Sequence, residues 1–357
     1  MPSIAAVAKI DFPYKVEQKE IKSRIGQIFP AAFPHLERLI GAFDNTGIIH
    51  RNFCKPLDYY FNPNTFEQNN NEYIRLSLEY SIKAIEDCLA GAHIFAAEVT
   101  DVIFVSSSGL ATPSVDALII NAMRLNPHVN RTPVWGLGCG GGVSGVAKAN
   151  TAATANPDAV VLLVAVELCT LTYMRSDYSK SNFIAASLFS DGVAACIITG
   201  DNYEKNRRQR GAGGISIAAT SSMLYYDSLN VMGWEFLNTG FKVLFSKDIP
   251  TIINDNIKGV IGEFLTAQGL ALSDVKNFIF HPGGTKVLDA YEQSLSAPGD
   301  FLKNTREVMH AYGNMSSVTV LYVLEKFLRE GYEPGYGLML AMGPGFSSEM
   351  ALLDMKK

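Results

Sequence analysis

The second half of this chain repeats the order of elements found in the first. Val99-Thr100-Asp101-Val102 leads an apolar strand that ends at Ser106, and a glycine-rich turn carrying Cys139 then opens a helical run from Val146. Further on, Leu272-Ser273-Asp274-Val275 leads a second strand that ends at His281, and Tyr312-Gly313-Asn314 opens a helical run from Val318. Asp101 and Asp274 are separated by nearly the same interval as Cys139 and Asn314, about 175 residues, which marks a duplicated αβ unit and not a short-period solenoid. Two such copies fused into one body predict two sheets with shared central helices, and equivalent positions that meet near a pseudo-twofold axis.

The fold class is therefore α/β, with an N-terminal half at 1–204 and a C-terminal half at 205–357. The division falls in the charged, glycine-bearing stretch Asp201–Gly214, where the run Lys205–Arg210 reads as a solvated connector. Apolar residues at helical spacing predict helices over Phe33–Phe43, Glu72–Ala90 and Ile249–Gln268, and the charged segment Lys15–Ile28 has the same period. Phe61–Asn71 reads as polar loop. The continuous apolar run Asp158–Glu167 predicts a strand covered on both faces, joined by strands at Phe189–Ile198, Tyr336–Met342 and Glu349–Asp354.

A net charge of −5 gives no global reason to expect nucleic acid. Five cysteines, an odd number with no C-x-x-C pair, argue against a disulfide framework and a zinc site, and point to reduced thiols in the cytoplasm. Met1–Asp11 lacks a basic start and a long apolar run, in keeping with that placement.

Cys139 lies in Gly136-Leu137-Gly138-Cys139-Gly140-Gly141-Gly142, ahead of a helix whose free N–H groups favour a thiolate and can hold an oxyanion. The plain alternative is a small buried hydrophobe in a tight turn. His281 ends a buried strand, where active-site loops gather, and can take a thiol proton. Its competitor is His310, in a helical or turn-like segment. Asn314 can be an N-cap or an uncharged donor to an oxyanion. Placed together by the duplication, the three fit acyl transfer.

These residues carry a resemblance. Gly136–Gly142, Phe280-His281-Pro282-Gly283-Gly284, Tyr312-Gly313-Asn314-Met315-Ser316-Ser317 and Gly343-Pro344-Gly345-Phe346 are similar, in order and over nearly the whole chain, to the motifs of type III polyketide synthases, the chalcone and stilbene synthase family of the thiolase fold. The resemblance implies a homodimer with a five-layered αβαβα core, acyl-CoA and malonyl-CoA as substrates, and no metal or redox cofactor. It makes Cys139 the nucleophile that carries the starter, and His281 with Asn314 the donors to the malonyl thioester as it loses carbon dioxide. Phe189 falls at the family's gatekeeper position. The second gatekeeper phenylalanine corresponds to Val243 here, and Ala341-Met342-Gly343-Pro344-Gly345 replaces the family's Gly-Phe-Gly-Pro-Gly.

Ser107–Ser114, Glu167–Tyr173, Met232-Gly233-Trp234 and Lys247–Pro250 are similar to segments of bacterial alkylpyrone and alkylresorcinol synthases. That similarity implies a tunnel for a long alkyl starter past Cys169, with Thr172 in the same segment and Thr112 near the dimer-facing wall. Ser316 and the Gly343-Pro344-Gly345 turn complete the substrate-facing set. Arg51 and Lys55 are basic candidates for the coenzyme A phosphates. Two other readings fit the same motifs: an initiating-type ketoacyl-carrier-protein synthase, and a non-catalytic acyl-binding protein of the same fold.

Overall fold

The computed structural model describes residues 1–27, 36–209, 214–297 and 299–355; Ile28, Phe33 and Arg210, used above, lie outside them. The strands in chain order are β1 (Ser3–Lys9), β2 (Tyr14–Glu17), β3 (His50–Phe53), β4 (Asp101–Val105), β5 (Asn130–Val134), β6 (Val160–Leu168), β7 (Asp191–Thr199), β8 (Ile215–Leu224), β9 (Met232–Leu237), β10 (Gly240–Phe245), β11 (Val275–Phe280), β12 (Tyr336–Gly343) and β13 (Ser347–Asp354).

The duplication is visible strand by strand. The hydrogen-bonded order is β11-β12-β13-β8-β1-β7-β6-β4-β5, so the two halves run outward from a short β1–β8 junction. In the first half β4 is parallel to β6, β6 antiparallel to β7, and β7 antiparallel to β1. In the second, β11 is parallel to β12, β12 antiparallel to β13, and β13 antiparallel to β8. Even the approach to the first strand is repeated: Phe95 N–H donates to the Glu98 carboxylate, and Ala271 N–H to the Asp274 carboxylate, each at 2.8 Å. Among the described strands of this nine-stranded sheet, β5 alone has no counterpart.

Period-two alternation sends each strand's side chains into two different cores. Val102 and Phe104 pack outward against helices Phe66–Ala92 and Val115–Met123, while Ile103 and Val105 face the centre. Phe278 and Phe280 likewise face helices Ile249–Thr266 and Thr285–Leu295, and Ile279 faces inward. Between the two halves lie helices Gly141–Ala155 and Thr319–Glu330, whose residues Val143, Val146, Val320 and Leu324 share one buried cluster with both sets of strands. The result is the expected five-layered α/β arrangement, outer helices on each side of two strand layers with central helices between.

Three local expectations are corrected. Phe66–Asn71 is not loop: Thr65 and Gln68 form a reciprocal capping box that starts the long helix at Phe66, well before its apolar stripe begins. The segment after Lys15 begins as strand β2, paired with β3, and becomes helical only at Gln18. The charged stretch after Asp201 is a helix, Asp201–Gln209, and not a solvated connector throughout. Its Arg207 is buried with Glu204 (2.9 Å) and donates to the Ala92 carbonyl, so a charged sequence here carries an internal pair. The 204/205 division lies inside this helix.

Candidate active site

Cys139 occupies a single 3-10 turn, Gly138–Gly140, immediately before helix Gly141–Ala155. The glycines around it answer to close approach of the other half. A Cβ on Gly142 would stand 2.2 Å from the Ser317 carbonyl oxygen, and one on Gly138, which has φ +45°, would stand 2.7 Å from the Pro344 ring. The Gly343-Pro344-Gly345 turn thus clamps the cysteine turn from outside. Gly138 N–H also donates to Ser107 Oγ at 3.0 Å.

Cys139, His281 and Asn314 line one chamber of about 40 Å³, with Phe245, Ile249, Ile253 and Tyr291 among its apolar walls. All three are buried: 6%, 3% and 1% exposed. His281 follows β11 and is held by its backbone N–H to the Leu340 carbonyl (2.8 Å), while both ring nitrogens lack a protein partner. His310 lies elsewhere, in helix Lys303–Tyr312. Asn314 Oδ1 accepts from Ser316 N–H (2.8 Å) and its Nδ2 donates to the Gly283 carbonyl (3.3 Å). The Asn314 side chain therefore caps a turn and retains a second Nδ2 hydrogen as a donor.

Within this chamber burial favours neutral groups. It pushes the Cys139 thiol up to about 12, with the Ser316 hydroxyl pulling the other way and the Glu167 carboxylate adding to the rise. It pushes His281 down to about 3. The start of helix Gly141–Ala155, whose partial positive charge favours a thiolate, works against that rise at Cys139.

The expected substrate-facing residues separate into groups. Phe189, Cys169, Thr172 and Val243 line an apolar cavity of about 60 Å³, which also shares Thr172 with a polar cavity of about 420 Å³. Val243 does not supply the second ring of a gate. Phe245, two residues along β10, lines the chamber of Cys139 and stacks on Phe189 with ring centroids 5.6 Å apart. Trp234, opposite Val243 in the β9–β10 hairpin, lies 6.4 Å from Phe189. Ser316 is buried beside the sulfur. Thr112 is exposed on the outside of the single chain. Lys55 lies against Glu72 (3.3 Å) and the Tyr59 ring. Arg51, expected near coenzyme A phosphates in solvent, is instead 2% exposed, its Nη1 donating to the Ala186 and Phe189 carbonyls.

Sequence reading missed Glu167 and Phe245. Glu167 accepts from Ser317 Oγ (2.7 Å) and Ser107 N–H (3.2 Å), and burial pushes its carboxyl up to about 7. A lone carboxylate closing the apolar run Val160–Val166 was the available signal. For Phe245 the signal was its place on the same strand face as Val243.

Among the described residues no His/Cys/Asp/Glu cluster is placed to hold a metal, and no helix is long and apolar enough to cross a membrane. Residues 64–202 match the family profile "Chalcone and stilbene synthases, N-terminal domain", and residues 217–355 its C-terminal counterpart. A Bacillus subtilis (strain 168) protein named after chalcone synthase is 39% identical, covering 96% of each chain. The 1,3,6,8-tetrahydroxynaphthalene synthase of Streptomyces peucetius subsp. caesius is 34% identical over 98% of this chain and 92% of its own. The crystal structure of the synthase of that name from Streptomyces coelicolor A3(2), a bacterial type III polyketide synthase, superposes with a TM-score of 0.92 at 26% identity, covering 99% of both chains.

Proposed function

Since the chain belongs to the chalcone and stilbene synthase family and is a type III polyketide synthase, an acyltransferase of thiolase-like fold, we propose that it loads a fatty acyl group from acyl-CoA onto Cys139. It then extends that group iteratively with malonyl-CoA and releases a pyrone or a resorcinol- or phloroglucinol-type ring. The observation that carries this reading is the convergence of Cys139, His281 and Asn314 on one enclosed chamber from the two halves of the duplication.

His281 takes the Cys139 proton as the sulfur attacks the acyl thioester, and returns it to the departing coenzyme A thiolate. The malonyl thioester carbonyl then accepts hydrogen bonds from the His281 ring N–H and Asn314 Nδ2–H. Loss of carbon dioxide places negative charge on that oxygen, where the two donors are worth most. The resulting enolate carbon attacks the acyl carbonyl on Cys139 and the sulfur leaves as thiolate, giving a coenzyme A thioester two carbons longer, which Cys139 takes back by thioester exchange with release of coenzyme A for the next round. No metal or redox cofactor enters these steps.

Phe189 and Phe245 form the partition between this chamber and the apolar cavity beyond. A chamber of about 40 Å³ holds only the reacting atoms, so the rings must part for the tail of a starter to reach the cavity lined by Cys169 and Thr172. Each methylene buried there contributes about 0.8 kcal/mol. Trp135 and Phe236, exposed at 46% and 53% with their rings 5.6 Å apart, and Leu110, exposed at 41% two residues from Thr112, are apolar surface that supports pairing with a second copy of the chain as a homodimer. The halves 1–204 and 205–357 act as two parts of one catalytic body in the cytoplasm.

The test is incubation with a panel of acyl-CoA chain lengths and malonyl-CoA, without carrier protein, followed by mass spectrometry of the products. Polyketide products rising with starter length are expected. Product formed only after a carrier protein is added would overturn the reading in favour of a ketoacyl-carrier-protein synthase.

A further inference from the structure

We propose that Arg51 is a positioning residue for Asn314 and Phe189, acting from inside the protein through backbone carbonyls. The inference rests on the roles given above to Cys139 and Asn314. Arg51 Nη1 donates to the Ala186 carbonyl at 2.7 Å and the Phe189 carbonyl at 2.8 Å, at the C-terminal end of helix Lys180–Leu188. That helix has no basic residue in its own last turn, so the guanidinium brings the cation that the negative end of the helix favours.

The segment it holds is the one that fixes Asn314. Asn314 N–H donates to the Leu188 carbonyl (3.0 Å), and the Asn314 carbonyl accepts from Ser190 N–H (2.9 Å), one bond on each side of Phe189. Ser190 is fixed in turn, since Asn52, the next residue after Arg51, donates its N–H to Ser190 Oγ at 2.8 Å. Arg51 therefore orders a stretch that carries the Phe189 ring on one side and the Asn314 backbone on the other.

Packing leaves the guanidinium little choice of position. It lies over the Phe53 ring at 5.4 Å and the Phe43 ring at 6.0 Å, and Nε and Nη2 have no hydrogen-bond partner. Its stem crosses Gly313: a Cβ there, at φ +75°, would stand 2.9 Å from Arg51 Cγ and 3.2 Å from the Leu188 carbonyl. The glycine before Asn314 thus lets the arginine pass beneath it. Cys139 is held separately, by its own turn and helix, and a two-carbon starter does not reach past Phe189, so with such a starter Arg51 bears on extension and not on loading.

The experiment compares Arg51→Met and Arg51→Lys with wild type in two assays, Cys139 acylation by acetyl-CoA followed by intact-protein mass spectrometry, and extension of the acylated enzyme by malonyl-CoA. Melting temperature is measured alongside. A misplaced Asn314 lowers extension by roughly 100-fold in Arg51→Met and about tenfold in Arg51→Lys, which keeps the charge but not the planar fork. Acylation keeps its rate and its KM for acyl-CoA within about threefold.

Extension at the wild-type rate in either folded variant overturns the proposal. So does parallel loss of acylation and extension, the mark of a merely structural arginine, and so does a raised KM for acyl-CoA in loading, the mark of a phosphate contact. If Arg51→Met does not fold, Arg51→Lys decides by the same criteria. Asn314→Ala, assayed in parallel, separates the two readings: normal extension in that variant overturns the role of Asn314 itself, and the Arg51 proposal with it.

Discussion

The two central helices begin at equivalent places in the duplication and do different work. The first starts with glycines around Cys139, small enough for the Ser317 carbonyl to approach Gly142. The second starts with Asn314, Ser316 and Ser317, whose side chains reach toward the chamber, the Cys139 sulfur and Glu167 respectively. One start is stripped to backbone and sulfur, while the other brings hydrogen-bond donors and acceptors. A symmetric frame has therefore been given an asymmetric filling, a start of backbone and sulfur facing one that carries the polar side chains.

Removing the part unique to the first start should have the largest effect. Cys139→Ala should lower product formation by on the order of 10⁴-fold or more, measured as malonyl-dependent product, because the proposed attachment point of the acyl chain is removed. Asn314→Ala strikes the second start: acylation of Cys139 should persist while malonyl-CoA decarboxylation falls roughly 10²–10³-fold. If both variants lose acylation equally, the division of labour is wrong. Gly142→Ala attacks the contact between the starts. Its Cβ meets backbone and not a flexible side chain, so it should destabilise the protein by about 1–3 kcal/mol in denaturant unfolding and lower turnover.

A smaller effect is expected at Phe245, whose ring separates the chamber from the apolar cavity. Phe245→Ala should alter the chain-length distribution of products and reduce the preference among starters by about tenfold, with Val243→Ala much weaker. The smallest concerns pH. Because His281 is held near 3 when folded against 6.5 ordinarily, the unfolded chain binds the extra proton between those values. Its contribution to stability is thus complete above about pH 6.5 and is lost as pH falls toward 3. His281→Gln should show a shallower fall in Tm between pH 7 and 4 than wild type; an identical slope would contradict a neutral buried imidazole.

The repeat made much of this legible in advance. Asp101/Asp274 and Cys139/Asn314 place equivalent strands and helix starts, and the topology follows them in both halves. That Cys139, His281 and Asn314 meet at one chamber was readable for the same reason. What escaped reading depends on contacts between distant segments. Arg51 sits in a strand of ordinary polarity, and nothing local tells a solvated cation from one buried under Phe189. Phe245 differs from Val243 by one step of the same strand face, and only the packing on Phe189 distinguishes them. The helix at Phe66 was missed because polar residues fill its first turns, although Thr65 and Gln68 form its cap.

The most direct test of the account is mass spectrometry of the enzyme mixed first with acyl-CoA and then with malonyl-CoA, quenched and digested. An acyl adduct on the Cys139 peptide that then gains ketide mass on that same residue is the predicted result. Product formation with no adduct on Cys139, or with the growing chain on any of the other cysteines, would contradict it.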